Sequence, residues 1–161
     1  MPALLIVYHS ATGGTRAMAE AALEGACAQG QARLLHAAAA GPADLEGAGG
    51  YLFAAPENLA SLAGVMKDFF DRSYYPVLDW LQGRPYAAMV CAGSDGQGAA
   101  RQIARIATGW RLREVAAPLI VCTRAQTPEA ILAPKTIAAD DLARCRDLGA
   151  ALAAGLALGV F

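Results

Sequence analysis

The chain has 161 residues, of which 56% are hydrophobic and 17% charged, and its formal net charge is -1. That length suits one domain with a sizeable core, and the composition excludes a disordered chain. The near-neutral charge lacks the footprint of a nucleic-acid or anionic-membrane binder, and equally that of a strongly acidic surface.

Read in chain order, the sequence predicts alternating strands and helices. The start MPALLIVYHS has neither a basic leader region nor a cleavage pattern, so no signal peptide is expected. Leu4 to Tyr8 is a short apolar run bounded by turn residues, the pattern of a strand buried on both faces. Ala-rich Thr15 to Gln29 predicts a helix that stops near Gly30. Strands at Arg33–Ala37 and Tyr51–Ala55 follow, linked by a short turn at Ala43–Ala48. From Leu62 to Trp80, residues Leu62, Val65, Met66, Phe69 and Phe70 share one helical face, and Asp68 and Arg72 stand one turn apart. Strands at Tyr86–Ala92 and Ala117–Cys122 flank a helix at Gly98–Trp110, and a last helix spans Asp140–Leu156. Thr123 to Ala139, with Pro128 and Pro134, reads as a long irregular loop of the kind that often carries function. The alternation predicts a parallel α/β sheet with right-handed crossovers, and a single domain over residues 1–161.

Cys27, Cys91, Cys122 and Cys145 are scattered through apolar segments, and the only histidines are His9 and His36. No metal site is expected, and a reducing cytoplasm is the simplest setting. The uncharged terminal stretch is too short to span a bilayer, so no membrane insertion is expected.

Ligands of open α/β sheets bind at the carboxyl ends of the strands. Three such ends are chemically unusual. In HSATGGTR, Ser10, Thr12 and Thr15 supply hydroxyls, Ala11, Gly13 and Gly14 supply accessible backbone, and a helix N-terminus points into the loop. This is a phosphate socket without the lysine of a nucleotide-binding P-loop, suited to a terminal phosphomonoester held by neutral donors. The competing reading is a tight turn with Thr15 as the helix cap. In APENLAS, Pro56 is expected to end the strand, Glu57 and Asn58 present polar groups, and Ser61 is placed to cap the next helix. In AGSDGQG, glycines allow close approach to a flat ligand, while Ser94, Asp95 and Gln97 offer hydrogen bonds.

Together these stretches resemble the flavodoxin-like FMN proteins. HSATGGTRAMA is similar to their phosphate loop. PENLASLAGVMKDFFDR resembles the second flavin loop and helix of the branch that includes NAD(P)H-dependent FMN reductases and quinone reductases. VCAGSDGQGAARQI resembles the third loop, and QGRP the approach to the fourth strand. The resemblance implies a three-layer flavodoxin-like sandwich with a five-stranded parallel sheet in the order 2-1-3-4-5. It implies FMN as cofactor, with Ser10 through Thr15 on the phosphate. Pro56, Glu57, Asn58 and Leu59 would border the ring, and Gly93, Ser94, Asp95, Gly96, Gln97 and Gly98 would bond its pyrimidine edge.

Leu59 stands where electron-carrying flavodoxins usually place an aromatic, and the strong acidity of those carriers is missing. The expectation is therefore an NAD(P)H-dependent oxidoreductase that passes electrons to a quinone or other small acceptor. No protein side chain is needed as a catalytic acid or base, because the flavin carries the chemistry. A non-enzymatic electron carrier and an FMN-free binding module are the alternatives. Arg16, Arg101, Arg105 and Arg124 are candidates for a second cofactor phosphate or, more simply, solvated surface. Tyr74 and Tyr75 are assigned to the core. The apolar stretch FFDRSYYPVLDW points to a homo-oligomer, most simply a dimer.

Overall fold

The computed structural model describes residues 2–161. Strand β1 (Leu4–Tyr8) pairs in parallel with β2 (Ala32–His36) on one side and β3 (Gly50–Asn58) on the other. Beyond β3 lies β5 (Pro85–Ala92), whose outer edge is shared by β6 (Arg113–Glu114) and β7 (Leu119–Cys122). Two-residue β4 (Ser61–Leu62) folds back on β3 as an antiparallel hairpin. The parallel strands thus run in the order 2-1-3-4-5 expected from sequence, with the fifth position split in two.

The strand period builds two cores. Leu5 and Val7 face one side of β1, and Leu4 and Ile6 the other. The first side packs on Met66, Phe69 and Phe70 of α3 (Gly64–Ser73) and on Ile103 and Ala107 of α4 (Gln97–Gly109). The second packs on Met18 and Ala22 of α1 (Gly14–Cys27) and on Leu152 and Leu156 of α6 (Ala139–Leu158). Helix α2 (Pro42–Gly47) fills the short connection before β3. The result is a three-layer sandwich.

Several local expectations are corrected. Pro56 does not end its strand, because β3 runs on to Asn58. The last partner of β3 on β1 is Ala54, so Pro56 sits past the end of β1, where a missing N–H leaves no ladder broken. Ser61 lies in β4 rather than at a helix cap, and α3 starts after Ala63. That helix stops at Ser73, well before Trp80, because Pro76 disfavours helical backbone at Tyr75 and supplies no N–H. Tyr74 stacks on buried Trp110 with ring centroids 5.7 Å apart, as expected of a core residue, but Tyr75 is 78% exposed. The stretch Thr123–Ala139 is not wholly irregular. It contains the short helix α5 (Pro128–Leu132), capped by the Thr127 hydroxyl, which accepts from Ala130 N at 3.2 Å.

Helices α1 and α6 touch backbone to backbone. A Cβ added to Gly25 would fall 1.9 Å from the Arg146 carbonyl oxygen, and one added to Gly149 would fall 1.9 Å from that of Ala22. Neither backbone can yield without parting the helices. Gly149→Val is therefore expected to destabilise the fold by about 1–3 kcal/mol, the usual cost of overpacking. Urea unfolding followed by circular dichroism measures it, and an unchanged midpoint would contradict this account of the helix contact.

Candidate functional site

The carboxyl ends of β1, β3, β5 and β7 meet at a cavity of about 530 Å³. Its walls are Ser10, Ala11, Thr12, Gly14 and Thr15 from the first loop and Pro56 to Ala60 from the second. Cys91 to Ser94 come from the third, and Thr123, Ala125, Gln126, Ile131, Leu132 and Lys135 from the segment after β7. The three loops singled out from sequence are thus brought together. Gly13, Asp95, Gly96, Gln97 and Gly98 do not line the cavity.

In the first loop, Gly13 is the N-cap of α1 with φ +95°, a left-handed backbone that glycine adopts without strain. Its N–H donates to Ser10 Oγ at 3.1 Å, which leaves the Ser10 proton available. The first intrahelical bond runs from Ala17 N to Gly13 O, so the amides of residues 14–16 precede the ladder and carry the positive end of the helix. Thr15 is only 2% exposed, and it lines the cavity together with Cys91. Burial pushes the Cys91 thiol up, against the pull of Lys135.

The second loop is a hairpin with a two-residue turn, Leu59-Ala60. Both residues have positive φ, 52° and 61°, in a turn geometry normally built from Asn-Gly. Leu59 is 99% exposed at the cavity rim. Glu57 does not present free carboxylate oxygens. Oε1 accepts from Gly96 N at 2.9 Å and Oε2 from Ala99 N at 3.1 Å, so this side chain caps α4 from another loop and ties the second loop to the third. Gln102 of α4 in turn accepts from Leu62 N.

Sequence reasoning missed the fourth wall. Lys135 N donates to Thr12 O at 2.8 Å, and its ammonium stands 3.5 Å from Thr12 Oγ1. A cation does stand at the phosphate-type loop, supplied from 123 residues away. The available signals were that Lys135 is one of only two lysines in the chain and lies in the stretch flagged for its length. Arg16, Arg101, Arg105 and Arg124 are exposed and line no part of the cavity; Arg16 pairs with Glu20 at 2.8 Å.

His9, next to Ser10, brings no charge. His36 Nδ1 accepts from Ala38 N at 3.1 Å, so its ring proton stands on Nε2 and donates to His9 Nδ1 at 3.2 Å. Burial, and then the neighbouring His36, hold His9 below its ordinary value, in its neutral form. The hydroxyls of Ser10, Thr12 and Thr15, the free amides at the start of α1 and one ammonium form a donor set suited to a phosphomonoester. Among the described residues, no group of three His, Cys, Asp or Glu could hold a metal ion, and no helix is long and apolar enough to cross a membrane.

The left-handed turn is testable on its own. A non-glycine residue in this region costs roughly 1–2 kcal/mol, more than the entropy glycine loses on folding. Ala60→Gly is therefore expected to stabilise the protein by up to about 1 kcal/mol, against the usual direction for such a change. A lower thermal midpoint than wild type would show that the turn is not strained.

Solved structures share this fold. A flavodoxin from the domain Archaea is 20% identical, with 96% of this chain and 99% of that chain covered and a TM-score of 0.75. A flavodoxin, WrbA-like protein from Agrobacterium tumefaciens is 22% identical over 98% of this chain and 99% of that chain, with a TM-score of 0.74. Rubredoxin oxygen:oxidoreductase from Desulfovibrio gigas reaches 0.78 at 16% identity, covering 98% of this chain but 37% of that larger one. The comparison with curated proteins found no match. Residues 36–124, more than half of the chain, match the family model of NADPH-dependent FMN reductases. With the fold, the cavity and this match together, the chain belongs to the NADPH-dependent FMN reductase family and is an FMN-binding flavoprotein of flavodoxin-like architecture.

Proposed function

We propose that this flavoprotein is an NAD(P)H-dependent oxidoreductase that passes electrons through FMN to a quinone or another small acceptor. One observation carries the reading: no aromatic side chain is among the residues that line the cavity. Exposed Leu59 stands at the rim where a ring-stacking aromatic would close a carrier's site. A flavin face bordered by small aliphatic groups is open to a second planar molecule, as hydride exchange with a nicotinamide or quinone requires. The family description, NADPH-dependent FMN reductase, supports the same direction.

In this reading Ser10, Ala11, Thr12, Gly13, Gly14 and Thr15 hold the phosphate through hydroxyls and helix amides. Pro56, Glu57, Asn58 and Leu59 border the ring, with Glu57 acting through the loop it pins. Gly93 and Ser94 face the ring directly, while Asp95, Gly96, Gln97 and Gly98 shape the turn behind them. FMN, when bound, supplies the capacity to take up and release an electron pair. The protein's own groups bind, orient and shield, and none serves as acid or base.

The reading takes residues 1–161 as one flavodoxin-like domain, supported by two cores that share a single sheet. A reducing cytoplasm suits the exposed free thiols of Cys27 and Cys122. Exposed Trp80 and Tyr75 support assembly as a homo-oligomer, most simply a two-fold dimer. A monomer mass by light scattering at micromolar protein would refute that assembly.

The decisive experiment identifies the flavin released on denaturation by mass spectrometry, then measures steady oxidation of NADH and NADPH with a panel of quinones. FMN with sustained turnover is the expected outcome. FMN without turnover would leave the electron-carrier alternative in its place, and FAD as the sole flavin would overturn the cofactor assignment. Thr12→Ala is expected to weaken FMN by roughly ten- to a hundred-fold, the worth of one hydrogen bond to a charged group, while leaving riboflavin nearly unaffected. Fluorescence titration of the apoprotein with both flavins measures this. Equal losses would make the loop a turn and nothing more.

A further inference from the structure

We propose that Lys135 is the specificity-determining cation of the site, the group that makes this chain select a flavin monophosphate over the uncharged flavin. The inference rests on the FMN reading above, and it goes further by assigning the phosphate's charge partner to a residue outside both the loop and the span matched by the family model.

The geometry is as follows. The Lys135 ammonium has three protons. Two donate to the carbonyls of Ile131 and Ala133, at 2.8 and 2.6 Å. The third has only Thr12 Oγ1, at a long 3.5 Å. One donor is therefore left weakly used beside the hydroxyl that faces the cavity. The backbone is fixed at the same place, because Lys135 N bonds to Thr12 O at 2.8 Å. That bond sets the Lys135 backbone beside the loop, and the ammonium itself is held there by the Ile131 and Ala133 carbonyls.

The charge is unspent as well. None of the salt bridges among the described residues involves Lys135. It is the only basic side chain lining the cavity. The only carboxylate there, Glu57, has both oxygens engaged by Gly96 and Ala99 amides. Half-buried, partnered only by neutral oxygens, and next to helix amides that already favour an anion, Lys135 lacks a counter-ion. A phosphate dianion between Thr12 and the start of α1 would supply one.

A purely structural role competes with this. Lys135 could serve only as a clasp that holds the end of α5 to the first loop. Lys135→Gln separates the two, because a glutamine amide can still donate to carbonyls but carries no charge. The test titrates FMN and riboflavin into wild-type, Lys135→Gln and Lys135→Arg apoprotein by fluorescence quenching. Low and high salt, and a pH range across the second phosphate ionisation near 6, complete it.

Lys135→Gln is expected to weaken FMN by on the order of ten-fold and riboflavin by less than about two-fold. Lys135→Arg should restore most of the difference. In wild type, the preference for FMN should grow as pH rises through about 6, because the phosphate gains its second charge, and should shrink in salt. Lys135→Gln should flatten both dependences. If Lys135→Gln fails to fold, Lys135→Met takes its place in the same titrations, with the same outcomes expected and the same outcomes overturning the proposal. A wild type that prefers FMN, with a Lys135→Gln variant equally selective or a preference indifferent to salt and pH, would overturn this proposal and leave the FMN reading intact. A wild type that binds both flavins equally, or neither, would overturn both.

Discussion

Every residue of β5 is buried, and Leu4 to Val7 of β1 are closed on both faces of the sheet. A strand in that position has no room for polar side chains, since each would need a partner inside an apolar core. Polar chemistry is therefore displaced to the strand ends. Because the strands are parallel, their carboxyl ends lie together, and helices α1 and α4, which start directly after β1 and β5, have their N-termini at the same edge. The cavity follows from this constraint. Hydroxyls, amides and the Lys135 ammonium collect there because the sheet excludes them elsewhere.

The site is held by backbone-directed contacts. Glu57 takes the two amides of Gly96 and Ala99, and Gln102 takes the amide of Leu62, so the hairpin and the start of α4 form one unit. Gly96 completes it with φ +86°, where a Cβ would also strike Ile120 at 2.6 Å. Within that unit the chain tolerates Leu59 and Ala60 in left-handed backbone. Strain of this kind persists only where the surroundings over-determine the conformation. Here the surroundings are the Glu57 and Gln102 bonds, and one of the two strained residues, Leu59, is exposed at the rim. A glycine would make the turn easily but would remove the aliphatic wall that Leu59 supplies.

Much of the fold was legible because burial writes itself into composition. The runs at Leu4–Tyr8 and Tyr86–Ala92 carry the pattern of doubly covered strands, and the hydroxyl and glycine clusters after them stood out against that background. What stayed hidden is what depends on pairing partners. Pro56 looked like a strand end because the sequence does not show that β1 has already stopped beside it. Ser61 looked like a cap because a two-residue hairpin turn of Leu and Ala carries no turn signature. Glu57 looked like a ligand-facing acid, while its partners lie about forty residues ahead. Lys135 was hidden most completely, since nothing local marks its approach to Thr12. Only the path of the segment after β7, folded over the first loop by α5, puts the two side by side.

The charge balance of the cavity has a consequence for redox chemistry. An added negative charge at a buried site is costly in proportion to the fixed anions around it and to the scarcity of donors. Here the single lining carboxylate is neutralised in part by two amides, and the single cation is unpaired. Burial disfavours the charged form of His9 beside Ser10, so that ring adds little to the cation. Helix α1 contributes its positive end to the same region. The amides, the ammonium and the helix end favour negative charge at the carboxyl ends of the strands, where the phosphate is proposed to sit. A surface crowded with carboxylates would act the other way and favour single-electron traffic. With a net charge of -1, this chain has no such crowd, which accords with the two-electron chemistry proposed above.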